Sequence, residues 1–268
     1  MQLVAAILLL LARAGPRPVG AAASCYEGAY RTADAALWGA CTGWARCEPG
    51  HYCSGMPLGE RRPCPAGRYG ASAGLASAGC DGACAPGHVC PAASVSATAA
   101  PCGGADVYCA GGDAAPTPVS PGHYSTPADG GAATRTGEAP CAAGRYCAGG
   151  VARACPGGAY GAAPRLTSAA CSGACEEGFY CPSGSTSPRA LACGPEPTRF
   201  CPAGSSQRRD VRPGHVAVRR GGAVAAGYTA ERPGAIGEYV IDGVARPCPA
   251  GRYGDAALNR NASCAASP

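Results

Sequence analysis

Lysine is absent from this 268-residue chain, so all 22 basic side chains are arginine, set against 17 acidic ones for a formal net charge of +5. With the excess of Ala, Gly, Pro and Arg, that absence reads as the codon bias of a GC-rich genome, not as a surface built to hold anions. Nucleic-acid binding wants a clustered basic face, and the densest groups are Arg208-Arg209 and Arg219-Arg220; no nucleic-acid partner is expected. Large apolar side chains are almost as scarce. Val, Ile, Leu and Phe make up 29 of the 268 residues, well under the roughly 20% that a self-sufficient core needs. The 42 Gly and 26 Pro argue against long helices and against a parallel-sheet enzyme. What remains to offset a chain entropy of about 1–2 kcal/mol per residue is the 20 cysteines, an even number.

Long hydrophobic runs are missing too, except at the start. Leu3 to Ala12 is an apolar run followed by Arg13 and the small-residue tract Ala21-Ala22-Ala23-Ser24, which reads as a signal peptide over residues 1–23. Cleavage after Ala23 fits the small-x-small rule, and Ala14 is the second candidate. The run is too short to span a bilayer, which takes about 20 apolar residues, and no other segment approaches that length. The mature chain is therefore expected to be secreted or held at the cell surface, without a membrane span of its own, and its cysteines to be oxidised.

The cysteines repeat. Cys64-Pro-Ala-Gly-Arg-Tyr-Gly recurs as Cys155-Pro-Gly-Gly-Ala-Tyr-Gly and Cys248-Pro-Ala-Gly-Arg-Tyr-Gly. In each copy the next cysteine stands 16 positions on (Cys80, Cys171, Cys264), and Cys25 to Cys41 has the same spacing. These four long loops alternate with six short ones: Cys47/Cys53, Cys84/Cys90, Cys102/Cys109, Cys141/Cys147, Cys175/Cys181 and Cys193/Cys201. Gly234 and Val240 occupy the places that Cys141 and Cys147 hold relative to the next long loop. Joint loss of two cysteines, with no thiol stranded, points to a Cys141–Cys147 bond. The same reasoning pairs Cys47 with Cys53 and closes each long loop on itself. For the quartets Cys84, Cys90, Cys102, Cys109 and Cys175, Cys181, Cys193, Cys201, three connectivities are open; the spacing favours local pairs, and a first-to-third, second-to-fourth stagger is the rival. Tyr30, Tyr69, Tyr160 and Tyr253, at fixed repeat positions, are expected to lie against the bridges.

The fold expected is therefore small and disulfide-rich: tandem cysteine-rich modules of short β-ribbons and turns, with little helix beyond the signal peptide. The division read from the sequence is an N-terminal module over 24–63, repeat one over 64–109, an Ala/Gly/Pro/Ser/Thr linker over 110–140, repeat two over 141–201, a linker with a degenerate short loop over 202–247, and the truncated start of a third repeat over 248–268.

The Cys-Pro-x-Gly-x-Tyr-Gly motif, its partner 16 residues on and the following Cys-x3-Cys-x5-Cys-Pro resemble the cysteine-rich repeats of ephrin-receptor-like domains, relatives of the tumour necrosis factor receptor and growth-factor-receptor modules. The resemblance covers about residues 25–109, 141–201 and 248–264. It implies modules stacked end to end as an elongated rod, a non-catalytic role as spacer or protein-binding element, and an extracellular protein or matrix component as partner. The alternatives are the extracellular part of a larger receptor or enzyme, and a metal-binding, thiol-rich protein with reduced cysteines.

All four histidines fall in one phrase, Pro-Gly-His followed by Tyr or Val (His51, His88, His123, His215), which makes them turn elements. Structural zinc sites and thiol oxidoreductases favour Cys-x2-Cys, which does not occur. No metal, cofactor or catalytic residue is expected, and the chain is read as not an enzyme. Glu176-Glu177 is read as solvated. Asn261-Ala262-Ser263 is an N-glycosylation sequon, with the bonding of neighbouring Cys264 as the circumstance that competes with its use.

Overall fold

A computed structural model describes residues 28–31, 44–54, 60–127, 133–219, 227–254 and 257–266. Among them there is no helix: 26 strands of two to four residues form thirteen two-stranded sheets. The signal peptide over 1–23 and both cysteines of the Cys25/Cys41 loop lie outside the described residues. The chain divides into two compact units, Met1–Pro118 with Asp129–Gly137, and Val119–Ala128 with Glu138–Pro268.

The first unit carries β1 (Ala29–Arg31) with β2 (Trp44–Arg46), β3 (His51–Ser54) with β4 (Glu60–Pro63), β5 (Arg68–Tyr69) with β6 (Gly82–Ala83), β7 (His88–Val89) with β8 (Ala100–Pro101), and β9 (Val107–Tyr108) with β10 (Thr117–Pro118). The second carries β11 (His123–Thr126) with β12 (Gly137–Pro140), β13 (Arg145–Ala148) with β14 (Val151–Ala154), β15 (Ala159–Tyr160) with β16 (Gly173–Ala174), and β17 (Phe179–Tyr180) with β18 (Leu191–Ala192). It continues with β19 (Arg199–Phe200) and β20 (Arg209–Asp210), β21 (His215–Val218) and β22 (Ala230–Pro233), β23 (Glu238–Ile241) and β24 (Val244–Pro247), and β25 (Arg252–Tyr253) and β26 (Ala265–Ala266). The repeat thus runs through the cysteine-free stretches 110–140 and 202–247, which hold β10 to β12 and β20 to β24 respectively.

A two-residue ladder has almost no stability of its own, and the sequence supplies what it lacks at two positions six apart. In a short loop both are cysteine, as in Cys47–Cys53, Cys84–Cys90, Cys141–Cys147 and Cys175–Cys181. Cys102–Cys109 and Cys193–Cys201 are spread to seven and eight residues. Cys64–Cys80, Cys155–Cys171 and Cys248–Cys264 close the long loops. Both quartets are therefore paired locally, and none of the described cysteines is free. In the chain-entropy picture each short bridge contributes about 2 kcal/mol and each long one about 3 kcal/mol.

The bridges are also the core. Among the described residues, every buried apolar side chain apart from Ala29, Ala217 and Val240 is cysteine. In the long loops the position six after the first cysteine is Gly70, Gly161 or Gly254, for a steric reason. A Cβ on Gly70 would come to 2.6 Å from Leu75 Cδ1 and 2.8 Å from Cys64 Sγ; one on Gly161 would meet Cys155 Sγ at 2.8 Å. The first cysteine's own sulfur fills the place that a second cysteine occupies in a short loop. Tyr69 and Tyr160 stand across the ladder from Gly82 and Gly173, and each ring lies against its glycine.

Successive modules are joined by backbone hydrogen bonds, which answers where the outer polar groups of so short a ladder go. The N–H at the end of each first strand donates to a carbonyl of the next module: Cys53 to Leu75 O at 2.8 Å, Gly70 to Ser94 O at 2.9 Å, Cys147 to Leu166 O at 2.8 Å, Cys181 to Ser205 O at 2.9 Å. The turn glycine before that strand does likewise, as Gly158 N–H to Cys181 O at 2.8 Å. Gly158 sits at φ +90°, and a Cβ there would overlap the Gly204 carbonyl oxygen. Glycine is required here twice over, by backbone conformation and by close approach.

Candidate functional site

The histidines do not gather into a site. Nδ1 of His88, His123 and His215 lies 3.2, 3.1 and 3.3 Å from the carbonyl oxygen of Pro86, Pro121 and Pro213, so with a proton on Nδ1 each ring fastens its own Pro-Gly-His turn. His51 instead packs beside Glu48 and Arg61, with Arg61 Nη2 at 3.2 Å from its Nε2. Among the described residues no group of three or more His, Cys, Asp or Glu side chains is placed to hold a metal ion, and no helix is long and apolar enough to cross a membrane. Gly70-Ala71-Ser72-Ala73-Gly74 spells the Gly-x-Ser-x-Gly of hydrolase elbows, but that device needs a strand turning into a helix. Here Ser72 lies in the middle of the Cys64–Cys80 loop, and its N–H donates to Asp81 Oδ2 at 2.7 Å, which holds the Asp81 carboxyl below its ordinary value. Glu176 is ion-paired with Arg189 at 2.6 Å.

The three cysteine-free modules hold a device that cysteine spacing does not reveal. Their two slot positions are Val119 and Ser125, Val211 and Ala217, and Gly234 and Val240. The second of each pair is buried, at 0%, 8% and 4% exposure. The residue after the first slot donates its backbone N–H to a glutamate in all three: Ser120 to Glu138 Oε2 at 2.6 Å, Arg212 to Glu231 Oε2 at 2.8 Å, Ala235 to Glu238 Oε2 at 3.1 Å. The Ser120 N–H holds the Glu138 carboxyl below its usual value. Burial pushes Glu231 up, but the Arg212 N–H and guanidinium, with His215 nearby, outweigh it and leave that carboxyl low. The signal available in sequence is a glutamate on the second strand 18 or 19 residues after the donor, or three after it in the Gly234 module.

Two of these modules border a cleft that combines charge with exposed apolar surface, a cavity of about 310 Å³ in the second unit. Its walls are the Val211–His215 turn, the β23–β24 turn and Arg260 from the last long loop, with Thr198 at one end. The β23–β24 turn is Ile241-Asp242-Gly243-Val244, with Asp242 at φ 51° and Gly243 at φ 74°, the conformation that favours Asp-Gly in two-residue hairpins. It thrusts Ile241 and Val244 outward, 37% and 41% exposed. Arg212 reaches Glu231 across the wall. The cleft offers aliphatic contact, guanidinium groups and one carboxylate, a set suited to gripping a polypeptide.

No protein-family model matches the chain, and no curated protein matches it.

Proposed function

We propose that the chain is a secreted or cell-surface structural and interaction protein, non-catalytic, built from ephrin-receptor-like cysteine-rich repeats and recognising an extracellular protein or matrix component. The observation that carries the reading is the core itself. Six local disulfides bury both of their cysteines, and Cys64 and Cys155 of the long loops are buried as well, where another fold would place aliphatic side chains. Such a core holds only in an oxidising compartment. The exposed Ile241–Val244 turn beside Arg212 and Arg260 supplies the apolar and guanidinium anchors that protein interfaces favour.

The test is expression of the full chain in a eukaryotic secretory host, followed by binding of the recovered protein to intact cells and deposited matrix. The expected result is protein in the medium beginning at Ser24, with a bound fraction that falls several-fold for Ile241→Asp. Retention inside the cell with reduced cysteines contradicts the reading.

A further inference from the structure

The three described long loops end alike, with one difference in chemistry. Three residues before the closing cysteine stand Ser77, Ser168 and Asn261. In the first two loops this position begins a surface turn, in which the N–H of Cys80 donates to Ser77 O and that of Cys171 to Ser168 O, each at 3.0 Å. The third loop alone puts a carboxamide there, and Asn261, Ala262 and Ser263 are all exposed. Arg252 Nη1 donates to Ser263 O at 3.2 Å, and the Cys248–Cys264 bridge fixes the next residue. The tripeptide is therefore displayed outward on the surface.

Its internal geometry suits acceptance of a sugar. The Ser263 N–H donates to Asn261 Oδ1 at 3.1 Å, and the Ser263 hydroxyl donates to the same oxygen. Two donors on Oδ1 draw the amide electrons towards oxygen and make the Nδ2 protons easier to lose, while Nδ2 itself has no protein partner among the described residues. We propose that Asn261 is an N-glycosylation site, modified from a polyprenyl-diphosphate-linked oligosaccharide. The bond between sugar C1 and Asn261 Nδ2 forms, and the bond between C1 and the diphosphate oxygen breaks. The lipid diphosphate leaves with that electron pair, one Nδ2 proton is lost to the transferase's base, and nothing is oxidised or reduced. The glycan stands beside Arg260, on the rim of the cleft. The proposal rests on the extracellular reading given above.

The experiment is peptide mapping of the full chain recovered from the medium of a eukaryotic secretory host, before and after a peptide-N-glycosidase that leaves an aspartate in place of a glycosylated asparagine. The expected result is glycan on the Asn261 peptide, lost completely in Asn261→Gln and in Ser263→Ala, and kept or increased in Ser263→Thr, which preserves the hydroxyl. Oxidised protein in the medium with Asn261 unmodified overturns the site and leaves the extracellular reading standing. Reduced, unmodified protein retained in the cytosol overturns both.

Discussion

The modules around Cys175–Cys181 and around Val211/Ala217 do the same work with different chemistry. In the first, a covalent bridge fills the slot, and the ladder it supports, β17 with β18, is two residues long. In the second, Ala217 is buried in the corresponding place, Glu231 ties down the turn, and the ladder of β21 with β22 is four residues long. The same substitution appears at Ser125 with Glu138 and at Val240 with Glu238. A slot in this fold must be filled and its turn must be tied. A disulfide does both at once; without one, a small buried side chain does the first and a glutamate cap does the second. The two solutions differ in what breaks them, one yielding to reductant and the other to acid.

A feature common to both kinds of module gives the largest effect. Gly158→Ala forces a side chain into φ +90° and onto a carbonyl of a later module, at a cost of about 3 kcal/mol or more. Amide exchange should rise in the Cys155–Cys181 modules first and should stay unchanged around Cys47. The second test removes the covalent tie: Cys175→Ala with Cys181→Ala should destabilise its module by about 2 kcal/mol. The loss should show as faster exchange at the Cys193 N–H, which donates to Gly178 O at 2.8 Å. The converse adds a tie. A Cβ on Gly234 would lie 2.7 Å from Val240 Cγ2, within disulfide reach once the valine is replaced. Gly234→Cys with Val240→Cys should therefore form a further bridge, seen by non-reducing peptide mapping, and stabilise the module by about 2 kcal/mol.

Smaller effects separate the caps from the bridges. Glu231→Ala removes charge-assisted bonds to the Arg212 N–H and guanidinium and should cost about 1–2 kcal/mol, read as local exchange at Arg212. Titration should give the least. Glu138 and Glu231 both titrate below their ordinary value, so their contribution is complete above the unfolded glutamate pKa of about 4.3 and is lost as pH falls through their folded-state values. Exchange at Ser120 and Arg212, corrected for the intrinsic pH dependence, should rise below that pH while the amides tied by Cys84–Cys90 do not change.

The class of fold was legible because cysteine is scarce in most chains and its spacing here repeats; nothing else in the composition could stabilise the protein. The local pairing of Cys84 with Cys90 and of Cys175 with Cys181 was favoured in sequence but not decided there, since spacing alone does not exclude the stagger. The β-ribbons around Ser125 and Ala217 were hidden for a different reason, whereas the one around Gly234 and Val240 was legible as a degenerate short loop. The slot accepts Ser125, Ala217 or Val240 as readily as cysteine, so the repeat persists there only as Gly-x-Tyr or Gly-x-Val after the turn. Glu138 and Glu231 were invisible as caps because each acts 18 or 19 residues from its donor, across a turn whose path only the fold defines. The cleft beside Ile241 was likewise out of reach, being assembled from β21, the β23–β24 turn and a long loop.

The account stands most directly on the local disulfides, and non-reducing peptide mapping of the secreted chain with a free-thiol count tests them. The predicted result is Cys84–Cys90, Cys102–Cys109, Cys175–Cys181 and Cys193–Cys201, with the four long loops closed on themselves and no free thiol. Staggered bridges such as Cys84–Cys102, or several free thiols, would contradict it.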